Sequence, residues 1–238
     1  GFSRRRKMKK SILITGSSKG IGKFLALSLI SQGYYVFGCS RSESTVNDEN
    51  YQHIIADLNS ESDILNVFKT IRKHDTQFYG LINNAGIASM NHTLLTPSTT
   101  VSRIFNINFL ATFLCSREAS KIMKKHKQGR IINFSTIAVP IGLQGESVYA
   151  ASKSAVETFT KSFSKEVSDF GITINIVGPN PIKTDLIKNV KNDKLQNVIN
   201  MQTIKRYGTF KDILNVVEFY LSENSDMITG QKIYLGGL

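Results

Sequence analysis

Short apolar runs that alternate with longer amphipathic segments are the feature that most restricts the fold of this chain. The run Ser11–Thr15 predicts a buried strand, and Gly20–Gln32 carries its apolar residues at helical spacing. Further strands are predicted at Tyr34–Cys39, His53–Ala56, Gly80–Asn83, Arg130–Ser135, Ile172–Val177 and Lys232–Leu235, and further helices at Ser62–Lys73, Ser98–Lys125, Ser147–Phe170 and Phe210–Ser222. Strands separated by helices pair in parallel through right-handed crossovers. We therefore predict a doubly wound α/β sheet of about seven parallel strands with helices on both faces.

Composition and charge divide the chain into a short basic arm and one domain. Of its 238 residues, 41% are hydrophobic and 20% are charged, which is typical of a globular protein. The formal net charge is +12, and half of that excess comes from six Lys and Arg residues among the first ten, where there is no acid. Such an arm could bind nucleic acid or anionic lipid, but a solvated tail or cloning scar is the simpler interpretation. We predict an arm at 1–9 and a single domain at 10–238.

Several classes of protein are disfavoured by what the sequence contains. Its apolar runs stay well below the ~20 residues needed to cross a bilayer, and its two cysteines, Cys39 and Cys115, give no disulfide framework. The four histidines are scattered without metal-ligand spacing. No aromatic-rich basic patch follows the arm. We expect a cytoplasmic protein with no metal, no nucleic-acid partner and no membrane partner.

A glycine-rich turn joins the first predicted strand to the first helix. Gly16 permits a tight exit from the strand, while Gly20 and Gly22 allow close approach of a ligand and of the neighbouring strand. The helix that follows presents free N–H groups and a positive dipole, which suit a pyrophosphate. The turn, which also includes Ser18, Lys19 and Ile21, predicts a Rossmann-like dinucleotide site. A glycine-rich turn without a ligand is the alternative.

The residues after the second predicted strand bear on the choice of dinucleotide. An acid at this point would hydrogen-bond the adenosine ribose and favour NAD. This chain has Ser40 and Arg41 instead, with Lys19 in the glycine turn. Two cations and no carboxylate favour a 2′-phosphate, so we predict NADP(H). Arg41 as a solvated surface charge is the alternative, and Asp57 either accepts from the adenine amino group or serves as a loop residue.

Tyr149 and Lys153 are four residues apart in a predicted helix and therefore share one face. An adjacent ammonium stabilises a phenolate, and lowering a tyrosine pKa by ~3 units needs roughly 4 kcal/mol. A buried tyrosine beside a lysine that extends to solvent is the alternative. Further polar residues lie mostly at the carboxyl ends of strands, where open α/β sheets bind ligands: Ser135, Thr136, Asn83, Asn84, Ala85, Gly86, Pro179, Ile182 and Thr184, with Asn108 inside a predicted helix.

These motifs, from Thr15–Gly22 to the Ile228-Thr229-Gly230-Gln231 segment, resemble the short-chain dehydrogenase/reductase family, especially its 3-oxoacyl-acyl-carrier-protein reductase branch. The resemblance implies that Tyr149 is the general acid and that Lys153 lowers its pKa and holds the nicotinamide ribose. It also implies that Asn108 anchors a proton-relaying water. Thr136 lies where the family usually has a serine that polarises the substrate carbonyl, and Ser135 is the fallback if the register shifts by one.

The resemblance also implies contacts with the cofactor. Asn84, Ala85 and Gly86 would pack along the adenosine side, and Asp57 and Leu58 would contact the adenine. Pro179, Ile182 and Thr184 would hold the nicotinamide end. The chain departs from the family where Asn180 replaces a glycine; because asparagine tolerates positive φ, the turn can survive.

We expect an NADPH-dependent carbonyl reductase whose substrate is a 3-oxoacyl thioester on acyl carrier protein or coenzyme A. Lys127 fits one of two basic positions that carrier-protein reductases offer, and Phe170 occupies the other. The segment 184–210 could give the site an apolar lid face, through Leu186, Ile187, Val190, Leu195, Val198 and Ile199. The alternatives are a reductase of a sugar, polyketide or secondary metabolite, and a non-catalytic dinucleotide sensor or scaffold. The family resemblance implies a homotetramer or homodimer formed through the two long helices.

Overall fold

The computed structural model describes residues 8–188, 190 and 192–238, and for Leu186 the backbone alone. The basic arm predicted at 1–9 lies outside the described residues except for Met8 and Lys9. Seven strands are present: β1 (Lys10–Thr15), β2 (Tyr35–Ser40), β3 (Tyr51–Ile55), β4 (Gln77–Asn83), β5 (Gly129–Phe134), β6 (Ile172–Gly178) and β7 (Lys232–Tyr234). The helices are α1 (Gly20–Ser31), α2 (Glu61–Lys73), α3 (Ser98–Phe105), α4 (Ala111–Met123), α5 (Ala138–Ile141), α6 (Ser147–Val167), α7 (Asn192–Met201) and α8 (Phe210–Leu221).

All strand pairs are parallel, and the sheet order is β3-β2-β1-β4-β5-β6-β7. The predicted doubly wound, Rossmann-like fold is therefore confirmed. The strand order reverses between β1 and β4, where Ile14 pairs with Ile82. The connections that follow these two strands lead to helices on opposite faces of the sheet, so a crevice opens at the carboxyl ends of the two strands.

Alternation along each strand divides the core into two layers. On β1, Leu13 packs into one layer with Phe68 of α2, whereas Ile12 and Ile14 face the other layer with Leu25 of α1. Successive side chains of a strand point to opposite faces, so a continuous apolar run is what a sheet covered on both sides requires. Cys39 and Cys115 are buried free thiols in the first layer.

Besides the short helix α5, which was not predicted, two longer segments differ from the sequence-based expectation. The predicted helix Ser98–Lys125 is interrupted by a π-helical turn over Asn106–Leu110, because the buried Asn108 side chain bonds to a neighbouring loop instead of extending into solvent. The segment 184–210, for which no helix is predicted, contains α7, whose Leu195 and Val198 are buried at helical spacing. Within the described part of the chain, none of the helices is long and apolar enough to span a bilayer.

Phe68 tests the contribution of the first core layer to stability. Its side chain is fully buried and meets Phe78 edge to face, with ring centroids 6.1 Å apart. We expect Phe68→Ala to lower the free energy of unfolding by about 3–5 kcal/mol, because the change removes buried contacts and leaves a cavity. Urea unfolding would measure this. The matched control is Phe219→Ala on α8, where the ring is 44% exposed; equal losses in the two variants would contradict the assignment of Phe68 to the core.

Candidate active site

A cavity of about 750 Å³ opens at the carboxyl ends of the central strands. Its walls come from the loops after β4, β5 and β6, from the start of α6 and from α7. Residues from widely separated parts of the sequence line it, including Gly86, Met90, Thr136, Glu146, Tyr149, Lys153, Pro179, Ile182, Thr184, Leu195 and Val198. The candidate catalytic tyrosine, lysine and threonine therefore border one space.

Tyr149 and Thr136 meet through their hydroxyl groups. Burial, with a smaller contribution from the nearby Glu146 carboxyl, raises the pKa of Tyr149 to about 12, while the hydrogen bond from Thr136 acts in the opposite direction. The neighbouring Ser135 faces away, because its hydroxyl donates to Glu157 Oε1 at 2.5 Å. The structure therefore brings Thr136, and not the fallback Ser135, to the phenol.

Lys153 is buried at the base of the cavity, and its amine donates to the carbonyl oxygen of Phe134 at 2.9 Å. Burial lowers the pKa of Lys153 to about 8. Lys153 does not contribute to the Tyr149 pKa shift in the structure without a dinucleotide, and the expectation that Lys153 lowers this pKa stays a prediction for the enzyme with its cofactor bound. The same desolvation that disfavours the ammonium also disfavours the phenolate, and the amine bonds to the main chain at the end of β5.

Asn108 fixes the loop that follows β4. Its Oδ1 accepts from the Ile87 N–H, while its Nδ2 donates to the Ile87 carbonyl at 2.9 Å and to the Ser152 hydroxyl at 3.0 Å. A Cβ placed on Gly86 would lie 3.3 Å from both Asn108 Oδ1 and Lys153 Nζ. Asn108 and Lys153 therefore flank the same glycine, whose small size leaves room beside them.

The glycine-rich turn has the shape that a dinucleotide requires. Gly16 and Gly20 have φ values of 70° and 57°, and a Cβ on Gly22 would lie 2.2 Å from the Gly16 carbonyl oxygen. No side chain caps the start of α1, so its first N–H groups remain available to an anion. Ile21 lines the cavity, and the exposed Lys19 pairs with Asp185 at 3.0 Å. This narrow, uncapped turn fits a pyrophosphate.

The loop after β4 is pinned against that turn. The Asn84 amide donates to the carbonyl oxygens of Thr15 and Gly16 at 2.9 and 3.2 Å, and the Ala85 N–H donates to the Thr15 hydroxyl at 3.0 Å. The predicted contacts Asn84, Ala85 and Gly86 thus run from the glycine turn towards Lys153. They form a continuous edge along which an extended ligand can lie.

The predicted adenosine end is more open. Arg41 is exposed, and the Ser40 hydroxyl donates to the Ser42 carbonyl at 2.7 Å and lies 3.0 Å from His53 Nε2. Asp57 Oδ1 accepts from the backbone and side chain of Asn59, as a loop aspartate does, and Leu58 packs against the core. Sequence reasoning missed His53 here; its place on the strand next to Ser40 was the available signal.

The loop after β6 closes the other side of the cavity. Pro179, Ile182 and Thr184 all line it. Asn180 does not adopt the expected positive φ; its buried amide instead donates to Gln202 Oε1 at 2.7 Å. Sequence reasoning also missed Glu146, Lys194 and other lining residues, because their proximity to Tyr149 arises only when the loops fold together. Among the described residues, no three His, Cys, Asp or Glu side chains are grouped as metal ligands would be.

Comparison with known proteins places this geometry in a family. The model of the short chain dehydrogenases matches residues 10–195. The chain belongs to the short-chain dehydrogenase family. It is an oxidoreductase, and the family assignment made from the sequence motifs is confirmed.

Three relatives illustrate the range within the family. The chain is 35% identical over 235 residues to the 3-oxoacyl-acyl-carrier-protein reductase FabG of Buchnera aphidicola subsp. Schizaphis graminum, covering 96% of each chain. It is 31% identical to ElxO with NADP bound, with a TM-score of 0.88 over 96% of this chain and 97% of that one. It is 25% identical to a 4-hydroxyisoleucine dehydrogenase complexed with NADH, with a TM-score of 0.89 over 96% and 98%.

Asn108 offers a test of how this site of a short-chain dehydrogenase is held together. We expect Asn108→Ala to lower the free energy of unfolding by about 2–4 kcal/mol, because the part-buried N–H and carbonyl of Ile87 and the buried Ser152 hydroxyl lose their partner. Urea denaturation would measure the change. Asn91→Ala serves as the control, since Asn91 is exposed and bonds only to Ser89 through its side chain. A loss as small as in that control would mean that Asn108 does not fix the loop.

Proposed function

We propose that this enzyme uses NADP(H) to reduce a carbonyl group to a hydroxyl and that its substrate is a 3-oxoacyl thioester. One observation carries the proposal: the Tyr149 phenol and the Thr136 hydroxyl meet in a cavity whose base holds the buried Lys153 amine. A carbonyl oxygen placed between two hydroxyl donors is polarised for attack at its carbon, and one donor can then give up its proton.

The cofactor would extend from the glycine turn to Lys153. Gly16, Gly20 and Gly22 with the start of α1 would hold the pyrophosphate, and Ile182 and Thr184 would face the nicotinamide. When bound, NADPH supplies the hydride that is transferred to the carbonyl carbon. The exposed Arg41 beside Ser40, with no carboxylate at that point, favours a 2′-phosphate. The NADP-bound relative supports this choice, whereas the NADH-bound one makes a direct comparison necessary.

Three side chains of the protein have different roles in proton transfer to the carbonyl oxygen. The raised pKa of Tyr149 keeps its proton on the phenol at neutral pH, ready for transfer as negative charge develops on the carbonyl oxygen. Thr136 donates to the same oxygen and remains a hydroxyl. The resulting phenolate is stabilised by the Lys153 ammonium, whose pKa near 8 also allows it to pass a proton on.

The cavity walls suit an acyl chain. Ile187, Val190, Leu195 and Val198 contribute apolar side chains on the α7 side. Because an apolar wall binds a slim hydrocarbon through burial of its surface, a 3-oxoacyl group fits the space. The 3-oxoacyl reductase from Buchnera supports this substrate class.

A second substrate class is favoured by Glu146. Its carboxyl lines the cavity, burial raises its pKa, and none of the described residues hydrogen-bonds to its side chain. A substrate hydroxyl or amine could occupy that acceptor, so a polar ketone of a sugar, polyketide or secondary metabolite is the alternative. The intact Tyr149, Lys153 and Thr136 argue against a non-catalytic sensor or scaffold.

Two surfaces bear on assembly and on the carrier. A basic group lies at the end of α4 and consists of Lys121, Lys124, Lys125 and Lys127. It suits an acidic acyl carrier protein.

The helices α4 and α6 lie side by side within the chain, where Phe113 and Phe159 meet edge to face at 5.7 Å. We propose that these long helices form the interface of a homotetramer or homodimer.

Replacing the phenol tests the catalytic assignment. Tyr149→Phe should bind NADPH with unchanged affinity but reduce acetoacetyl thioesters at least about a hundredfold more slowly, because only the proton donor is removed. Stopped-flow absorbance of NADPH oxidation and fluorescence titration would measure the two effects. Tyr207→Phe is the control and should retain wild-type turnover. Retained turnover in Tyr149→Phe would refute the role.

Substrate preference separates the two classes. Wild-type enzyme with NADPH should show a higher kcat/KM for acetoacetyl-acyl-carrier-protein or acetoacetyl-coenzyme A than for simple or hydroxylated ketones. A preference for the hydroxylated ketones that disappears in Glu146→Gln would favour the alternative instead.

The pH profile tests the role of Lys153. Because the ammonium is present below the lowered pKa of about 8 and is lost above it, the reductive rate should fall as the pH rises through that value. A titration of kcat with saturating NADPH would show this decline. Lys165→Met, a change in a lysine at the far end of α6, should leave the profile unchanged. A rate independent of pH through this range would contradict the assignment.

A further inference from the structure

A chain of hydrogen bonds runs beneath the predicted adenosine site. The Ser17 hydroxyl, in the glycine turn, lies 3.2 Å from the Tyr51 hydroxyl, which lies 2.8 Å from His53 Nδ1. The other ring nitrogen, His53 Nε2, lies 2.9 Å from the Ser42 carbonyl oxygen and 3.0 Å from the Ser40 hydroxyl. The chain therefore links the pyrophosphate turn to the end of β2.

The proton positions in this chain follow from its acceptors. A carbonyl oxygen only accepts, so Nε2 must carry the hydrogen that points at Ser42. In the neutral ring, Nδ1 then accepts from the Tyr51 hydroxyl, and the Tyr51 oxygen can accept from Ser17. In this arrangement Ser17 donates to Tyr51, Tyr51 donates to Nδ1, and Nε2 donates to the Ser42 carbonyl oxygen.

His53 also determines what the Ser40 hydroxyl can do. That hydroxyl donates to the Ser42 carbonyl oxygen at 2.7 Å, and His53 Nε2 donates to the same oxygen. Because His53 can satisfy this oxygen alone, Ser40 can turn its hydrogen towards a bound anion without leaving a carbonyl unpaired.

The direction of these hydrogen bonds can reverse while the heavy atoms stay in place. If Nδ1 gains a proton, it donates to Tyr51, and the Tyr51 hydroxyl turns to donate to Ser17. Gly38 provides the space, since a Cβ there would lie 2.1 Å from the Tyr51 hydroxyl and 2.3 Å from the Ser17 hydroxyl. The reversed arrangement holds one more proton than the first, because both ring nitrogens of His53 then carry hydrogen.

Charged groups of the surrounding elements define the local field. Arg41 and Glu43 flank Ser42 on the loop after β2 and are exposed. From α1, Lys23 reaches the same loop and donates to the Thr45 hydroxyl at 2.6 Å. On β3 itself, Tyr51 is the titratable group besides His53, and the loop before it carries Asp48 and Glu49. A dianionic phosphate arriving beside Arg41 would favour a further positive charge close to it.

We propose that His53 determines the preference for a 2′-phosphate: it releases the Ser40 hydroxyl to the phosphate and takes up one proton from solvent at Nδ1 when NADP(H) binds. His53 is thus a positioning residue that acts through Ser40 and through its charge. The inference rests on the proposed function, because it needs a dinucleotide in the glycine turn. It predicts that proton uptake accompanies NADPH binding and does not accompany NADH binding.

Titration calorimetry of the full chain, in two buffers of different ionisation enthalpy, measures that proton. Wild-type protein near neutral pH should take up protons with NADPH and none with NADH. His53→Gln should take up none with NADPH, because glutamine can still donate to Ser42 but cannot ionise. The 2′-phosphate, with a second pKa of about 6, would on its own release protons on binding a cation, which is the opposite sign.

Dissociation constants provide the second measurement. When the pH is lowered from about 8 to about 6, the ratio of the dissociation constant for NADH to that for NADPH should rise about tenfold more in wild-type protein than in His53→Gln. Tyr51→Phe removes the donor to Nδ1 and keeps the ring, so proton uptake should persist. His126→Gln, a change at an exposed histidine, is the matched control and should behave as wild type.

The outcomes separate the two proposals. If wild-type protein binds NADH but not NADPH, the proposed cofactor is wrong. If it binds NADPH and His53→Gln takes up as many protons as wild type, only the role of His53 is wrong. The role of His53 would also be overturned if His53→Gln lost NADH and NADPH affinity equally. It would likewise be overturned if His53→Gln failed to fold, as seen in its thermal melt, and Tyr51→Phe took up no proton with NADPH.

Discussion

The buried amine of Lys153 is the constraint on which the site depends. An amine removed from water requires a hydrogen-bond acceptor, and the Phe134 carbonyl at the end of β5 supplies it. This bond ties α6 to the central sheet at the point where the strand ends. Tyr149, one helical turn earlier, is thereby brought against the loop that carries Thr136.

A ladder of buried amides supports that arrangement from below. Asn83 donates to Asn133 at 2.8 Å across neighbouring strands, and Asn133 donates to Thr160 of α6 at 2.9 Å. Asn83 also donates to Ser116 of α4 at 3.1 Å. Because each buried polar group has a specific partner, the ladder sets the register of β4, β5, α4 and α6, which together present the catalytic groups.

Local sequence patterns predicted the parts of the site that depend on neighbours along the chain. Tyr149 and Lys153 share a helix face because of their spacing, and the glycine turn forms because Gly16 and Gly20 adopt positive φ. The π-helical turn at Asn108 and the helix α7 were not predicted. The first depends on a bond to Ile87, twenty-one residues away, and the second on apolar residues that are buried only once the cavity forms.

The sequence by itself determined the alternation of strands and helices, the phosphate-binding turn and the set of reactive residue types, because these follow from period, backbone freedom and spacing. Tertiary structure decided which of two adjacent hydroxyls faces the phenol, since Ser135 is held by Glu157 from another helix. It also decided the direction of the pKa shifts of Tyr149 and Lys153. Burial and hydrogen-bond partners arise from distant segments brought together, so no local pattern encodes them.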